Sequence, residues 1–174
     1  MEVETPHGES LDSFGKMTAL QTAVLAVLLS VFTICSHRMH TETIVLGNEA
    51  SNQWSHYQAK RIRDFQLQLN TEMLKLTAPA SAEVTKTIED YGKQRAEYRK
   101  ELEELKKDAE GKDEEGAASH KKAGFFDLAE GLLEISMILS SLYFLSHKKF
   151  FPLLGLSLGA LGIFVGVAGL LMKG

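Results

Sequence analysis

The chain has one cysteine, Cys35, among 174 residues, which excludes an internal disulfide framework and a multi-cysteine metal site. It has no basic excess in its polar part: from His37 to Gly124, 15 Lys/Arg stand against 16 Asp/Glu. Nothing there is built to track a phosphate backbone, so nucleic acid is not an expected partner. A Gly-rich phosphate loop, a Ser-centred nucleophile motif and an H-E-x-x-H pair are all missing. The expectation is a non-enzyme with no cofactor, no metal and no identified small-molecule substrate. Charge is absent from two long stretches near the ends, residues 17–35 and 150–172. The 44% hydrophobic content is gathered there, and the mean hydropathy of −0.08 averages two unlike materials.

What is present at those ends is the length of a bilayer. "MTALQTAVLAVLLSVFTIC" (Met17–Cys35) carries no charge, and about 19 residues at about 1.5 Å each match a hydrocarbon core of about 30 Å. A cleaved signal peptide is the competing reading, but the preceding tail, residues 1–16, expected to be flexible, is acidic and no small-x-small cleavage site follows. Ile34 stands where lipid attachment at Cys35 would want a small residue. The segment is therefore read as an uncleaved anchor, transmembrane helix 1 over residues 17–36. "FFPLLGLSLGALGIFVGVAGLLM" (Phe150–Met172) is likewise uncharged, with Pro152 in its first turn, where a missing N–H costs little. It is the third span. "SHKK" (Ser146–Lys149) has room only for a tight turn, so the stretch before it, residues 125–145, is the second span and the two form a helical hairpin.

That second span contains Asp127, Glu130 and Glu134, each costly in hydrocarbon. Counting about 100° per residue from Asp127, Glu134 falls about 20° away, Ser141 about 40° and Glu130 about 60°. This polar stripe is expected to turn towards protein or water. It reads either as hydrated interfacial acids plus one helix-linking carboxyl, or as a proton or cation site centred on Glu134. No Lys or Arg lies within a span to pair with it. In the last span Gly155, Gly159, Gly162, Gly166 and Gly169 share one side at steps of four and three, a flat surface for close helix packing. Its partner, within the chain or in another copy, is left open by the sequence.

The middle, residues 37–124, predicts a coiled-coil hairpin. Val84, Ile88, Tyr91, Arg95, Tyr98, Leu102, Leu105 and Ala109 alternate steps of four and three. Upstream, Trp54, Tyr57, Ile62, Phe65, Leu69, Met73 and Leu76 recur at mostly three- and four-residue steps, again helical. Pro79 ends the first helix and Ser81 can cap the second, so the turn falls near 77–81. "EGKDEEGAASHKKAG" (Glu110–Gly124), with its three glycines, predicts a flexible polar linker. The fold class is thus an all-α membrane protein, three transmembrane helices with an antiparallel helical hairpin between the first and second.

"NEASNQWSHYQAKRI" (Asn48–Ile62) following one span, and "FDLAE" (Phe126–Glu130) opening the last hairpin, resemble the signature of an uncharacterised family of small bacterial membrane proteins. The matching residues are Ala50, Ser51, Asn52, Trp54, Tyr57, Gln58, Ala59 and Lys60, then Phe126, Asp127, Leu128 and Glu130. His56 departs from the second aromatic of that pattern. The resemblance covers residues 15 to 172 and implies a bacterial membrane protein, but no activity. Ser51, Asn52, Trp54, Tyr57, Gln58 and Lys60 read as a recognition patch or as the seam of the coiled coil. His37 and His40, one turn apart, read as interfacial histidines rather than metal ligands.

Two functions are expected to compete. One is a membrane-anchored coiled-coil scaffold or accessory subunit, associating with itself or with a partner complex. The other is a small oligomeric proton- or ion-handling protein using Glu134. The expected location is the bacterial inner membrane. Lys16, Lys148 and Lys149 favour a periplasmic middle segment, against Arg38, Lys121, Lys122 and Lys173.

Overall fold

A computed structural model describes residues 12–172, so most of the N-terminal tail expected to be flexible, residues 1–11, lies outside the described residues. Its elements are α1 (Ser13–Thr77), α2 (Ala82–Ser141), α3 (Tyr143–Ser146) and α4 (Phe150–Leu171), with no strand among the described residues. α1, α2 with its continuation α3, and α4 each hold a stretch long and apolar enough to cross a membrane, as in a multi-pass membrane protein. The described residues divide into two compact units: one takes 12–40 and 119–172, the other is Thr41–Ala118.

Helix starts and stops follow local chemistry. Asp12 caps α1, its carboxylate accepting the Gly15 amide at 2.7 Å, and Ser81 caps α2 by accepting the Val84 amide at 3.1 Å. Between Thr77 and Ala82 the chain leaves the helix at Pro79, which biases the residue before it away from helical angles. After α3, His147 adopts a left-handed φ of 55° and donates its amide to the Tyr143 carbonyl at 2.8 Å. This αL cap lets the chain reverse towards α4.

Glu110–Gly124 differs from the expected flexible linker: it is helical throughout, within α2. Three glycines there cost about 1 kcal/mol each relative to alanine, but tertiary contacts offset them. Ala109 is fully buried, Asp113 accepts the Trp54 indole N–H at 2.9 Å, and Lys112 pairs with Glu49 at 3.1 Å. Composition reported the propensity and could not report these partners.

The first unit is a three-helix core. Leu25 and Phe32 of α1 meet Phe126, Ala129 and Leu133 of α2, with the Phe32 and Phe126 rings stacked at 6.3 Å. The side of α4 towards this core is the glycine row, all five of its members buried.

In the second unit, contacts between α1 and α2 run in opposite directions along the two helices. Glu49 meets Lys112, Lys60 meets Glu101, and Asp64 meets Arg95. The eight α2 positions expected to face inward are each buried or half-buried. On α1 the outcome differs. Trp54 and Tyr57 are half-buried, but Ile62, Phe65, Leu69, Met73 and Leu76 are exposed. The inward residues there are Lys60, Asp64, Leu67, Gln68, Thr71 and Leu74. Lys60 lies nine residues before Leu69, about 180° around the helix, so the most apolar face points away from α2. Arg95, at 2.8 Å from Asp64 and 3.0 Å from Gln68, anchors the polar face inward.

Candidate functional site

The first unit is tied together by polar side chains set into apolar helices. Near the α3–α4 turn, Gln21 donates to Ser140 Oγ at 3.1 Å and to the Pro152 carbonyl at 3.4 Å. Deeper in, Ser136 donates to the Gly155 carbonyl at 2.6 Å, and both Ser136 and Ser140 are fully buried. Towards the opposite end of the core, Thr33 donates to Glu130 at 2.7 Å. One turn further, Asp127 receives the Ser36 hydroxyl and lies 3.0 Å from His40 Nε2. Such contacts in a bilayer contribute about 0.6 kcal/mol each on average.

Thr33, Ser36 and His40 recur at steps of three and four and lie along one side of α1, matched in antiparallel order by Glu130 and Asp127 on α2. The acid stripe read from the sequence is therefore divided. Asp127 and Glu130 bind α1, whereas Glu134 is exposed, beside Ile135 and near Ile138, and makes no hydrogen bond or ion pair among the described residues. Ser141 is exposed as well and donates to its own helix, at the Ile138 carbonyl.

The order of groups around Asp127 decides what this cluster can do chemically. In an acyl-transfer relay, histidine stands between hydroxyl and carboxylate and takes the hydroxyl proton. Here the carboxylate stands between, accepting from Ser36 and from His40 at once. Ser36 has its proton committed to a carboxylate, and the arrangement clamps α1 to α2. His40 and Asp127 remain about half exposed, at 46% and 47%, so solvent tempers the pair.

The glycine row is used within the chain. A Cβ at Gly155 would lie 2.7 Å from the Ser136 carbonyl oxygen, one at Gly159 2.8 Å from Leu25, and one at Gly162 3.1 Å from Leu132. At Gly166 it would fall 2.4 Å from the Phe32 ring, and at Gly169 2.9 Å from Phe125. The two small faces meet because serine and alanine on α2 oppose glycine on α4. Sequence reasoning missed Ser136 and Ser140. The available signal was their spacing from Ala129 and Leu133, at steps of four, three and four.

The Trp-Tyr segment belongs to the second unit and splits between two faces. Trp54 binds Asp113 and packs edge-on against Tyr57 at 5.6 Å. Lys60 pairs with Glu101 and sits over the Tyr98 ring at 5.3 Å. Ser51, Asn52 and Gln58 are exposed, and Asn52 borders a polar cleft with Glu49, Gln53, Asp108 and Lys112. Lys112, between Glu49 and Glu115, has its pKa raised by those two carboxylates. Trp54 and Lys60 thus join α1 to α2, and the short polar members face solvent.

A family model described as a domain of unknown function (DUF4337) matches residues 14–172. No curated protein and no solved structure matches the chain.

Proposed function

The chain belongs to the DUF4337 family, and on that premise we propose that it is a membrane-anchored helical scaffold or accessory subunit. In this reading α1, α2 and α4 cross the bacterial inner membrane, and a coiled-coil hairpin between the first two spans stands in the periplasm. The observation that carries it is the exposed apolar row Ile62, Phe65, Leu69, Met73 and Leu76 in a segment otherwise rich in charge. Apolar residues in the spans have lipid to face, but this row has none, and large apolar surface rimmed by polar residues marks an interaction site. The glycine row and the polar clamps serve to hold the anchor together.

Chemical crosslinking in native membranes tests this reading. The wild-type chain is expected in species larger than one chain, and Phe65→Lys with Leu69→Lys should return it to single-chain size while it stays in the membrane pellet. A wild-type chain that is single throughout overturns the scaffold.

One observation favours a second reading, proton or ion handling. Glu134 lies mid-way along its apolar segment, exposed and unpaired among the described residues, where an ionised carboxylate is costly. Under this reading Glu134→Gln abolishes proton flux in proteoliposomes and leaves assembly intact; unchanged flux, or none in the wild type, removes it.

A further inference from the structure

We infer that the occupant of the exposed α1 row is a second copy of this chain, packed parallel and in register with the first. The inference rests on the scaffold reading and names its partner. Exposure of Ile62, Phe65, Leu69, Met73 and Leu76 is 58%, 57%, 47%, 65% and 86%. Their steps of three, four, four and three average 3.5 residues, the repeat that two supercoiled helices share. The partner is therefore a helix, and the row offers it about 20 Å of seam. Five large side chains at these exposures, counted on both copies, amount to about 1,000 Å², the lower bound of a specific interface.

The shared bilayer decides between a copy that runs the same way and one that runs the opposite way, because copies inserted in the same sense run parallel, and the edges of the row have only to permit that outcome. At about 100° per residue, Gln66 and Asn70 border one side and Arg61 and Glu72 the other. A parallel pair brings unlike edges together, and an antiparallel pair brings like edges together. Parallel packing sets the neutral amides of one copy against the charged edge of the other and opposes no like charges; an antiparallel copy would bring Arg61 towards Glu72, so the edges permit either direction. Glu72 already accepts the Gln68 amide at 3.2 Å, and Gln68 accepts Arg95 at 3.0 Å. The edge is thus held by the same network that turns the polar face of α1 towards α2. A two-fold axis along the membrane normal keeps both copies inserted in the same sense and permits this arrangement. Confinement to one bilayer raises the effective concentration of each copy for the other. The product is a bundle with two α1 segments at its centre and the α2 segments outside.

Disulfide trapping in native membranes tests the inference, in the full-length chain with Cys35→Ala. Ile62→Cys and Leu69→Cys, each alone, are expected to yield roughly ten times more crosslinked homodimer than Arg63→Cys, which lies off the row, because the seam holds like residues together. Both positions are exposed, so neither change disturbs the fold, and Phe65→Cys provides an independent third position. If Ile62→Cys crosslinks only when co-expressed with Leu76→Cys, the copies run antiparallel and the proposed register is wrong. If no position on the row forms a homodimer while the chain still crosslinks into larger species, the occupant is another protein. That result overturns this inference and leaves the scaffold reading standing, whereas a single-chain species throughout overturns both.

Discussion

Replacing Gly155 with alanine tests whether the glycine row closes the anchor from within. A Cβ there would lie 2.6 Å from Ser140 Oγ and 2.7 Å from the Ser136 carbonyl oxygen. The hydroxyl can rotate away, but the carbonyl belongs to the α2 backbone, so the two helices must separate by roughly half an ångström or more to restore van der Waals distance. Overpacking of this kind costs about 1–3 kcal/mol. Separation also stretches the Ser136–Gly155 hydrogen bond of 2.6 Å, a loss of about 0.6–1.7 kcal/mol. Alanine returns up to about 1 kcal/mol through its better helix propensity. The net is a destabilisation of about 2 kcal/mol, or roughly thirtyfold in the ratio of folded to opened bundle. Hydrogen exchange of the amides in α4 and in Ser136–Ser141, measured in detergent micelles, reads this ratio, because the slowest amides exchange through opening of the bundle. Gly131→Ala is the control. Nothing lies within 4 Å of its Cβ position, so its exchange should be unchanged or slower. Equal exchange in the two variants would refute the claim that α4 is seated on α2 through Gly155.

Arg95 and Asp64 are expected to behave as a unit: their side chains are only 20% and 17% exposed, so Arg95→Ala leaves a carboxylate unpaired and costs about 1–3 kcal/mol. The double replacement Arg95→Leu with Asp64→Leu should recover most of that loss in thermal unfolding, and failure to recover would mean the pair matters through more than its own charges. Asp12 supplies a pH dependence. The Gly15 backbone N–H, and after it the Tyr143 hydroxyl, hold its carboxyl below the ordinary aspartate range. A lowered folded-state pKa means that the unfolded chain binds the proton first, so Asp12 supports the α1 terminus above pH ~4 and that support fades as pH falls through the lowered value. NMR titration of the Asp12 carboxyl should give a midpoint below that of an unstructured aspartate, rising in Tyr143→Phe, and an ordinary midpoint would contradict the cap.

Legibility varied with the kind of information each residue carries. The apolar stretches stand out because bilayer length is a one-dimensional quantity, and three helices long and apolar enough to cross a membrane are present among the described residues. The break at Pro79 is equally local, since proline acts on the residue before it. The glycine row was legible as a face but not in its target. Its seat on Ser136, Leu25 and Phe32 required knowing which helices neighbour α4. Glu110–Gly124 reads as a linker by composition and is helical because Trp54 and Glu49, far away in the chain, hold it.

The sequence by itself determined where the helices lie, where Pro79 interrupts them and which side of each is apolar, because propensity, spacing and capping act within a few residues. The tertiary structure alone decided which side faces which partner. Asp127 and Glu130 found Ser36, His40 and Thr33, and Glu134 found no partner among the described residues. The second unit paired its polar α1 face with Arg95 and left the apolar row outward. Two sides of one helix compete for a single neighbour, and the choice turns on ion pairs and steric fit between residues distant in the chain, which no local pattern encodes.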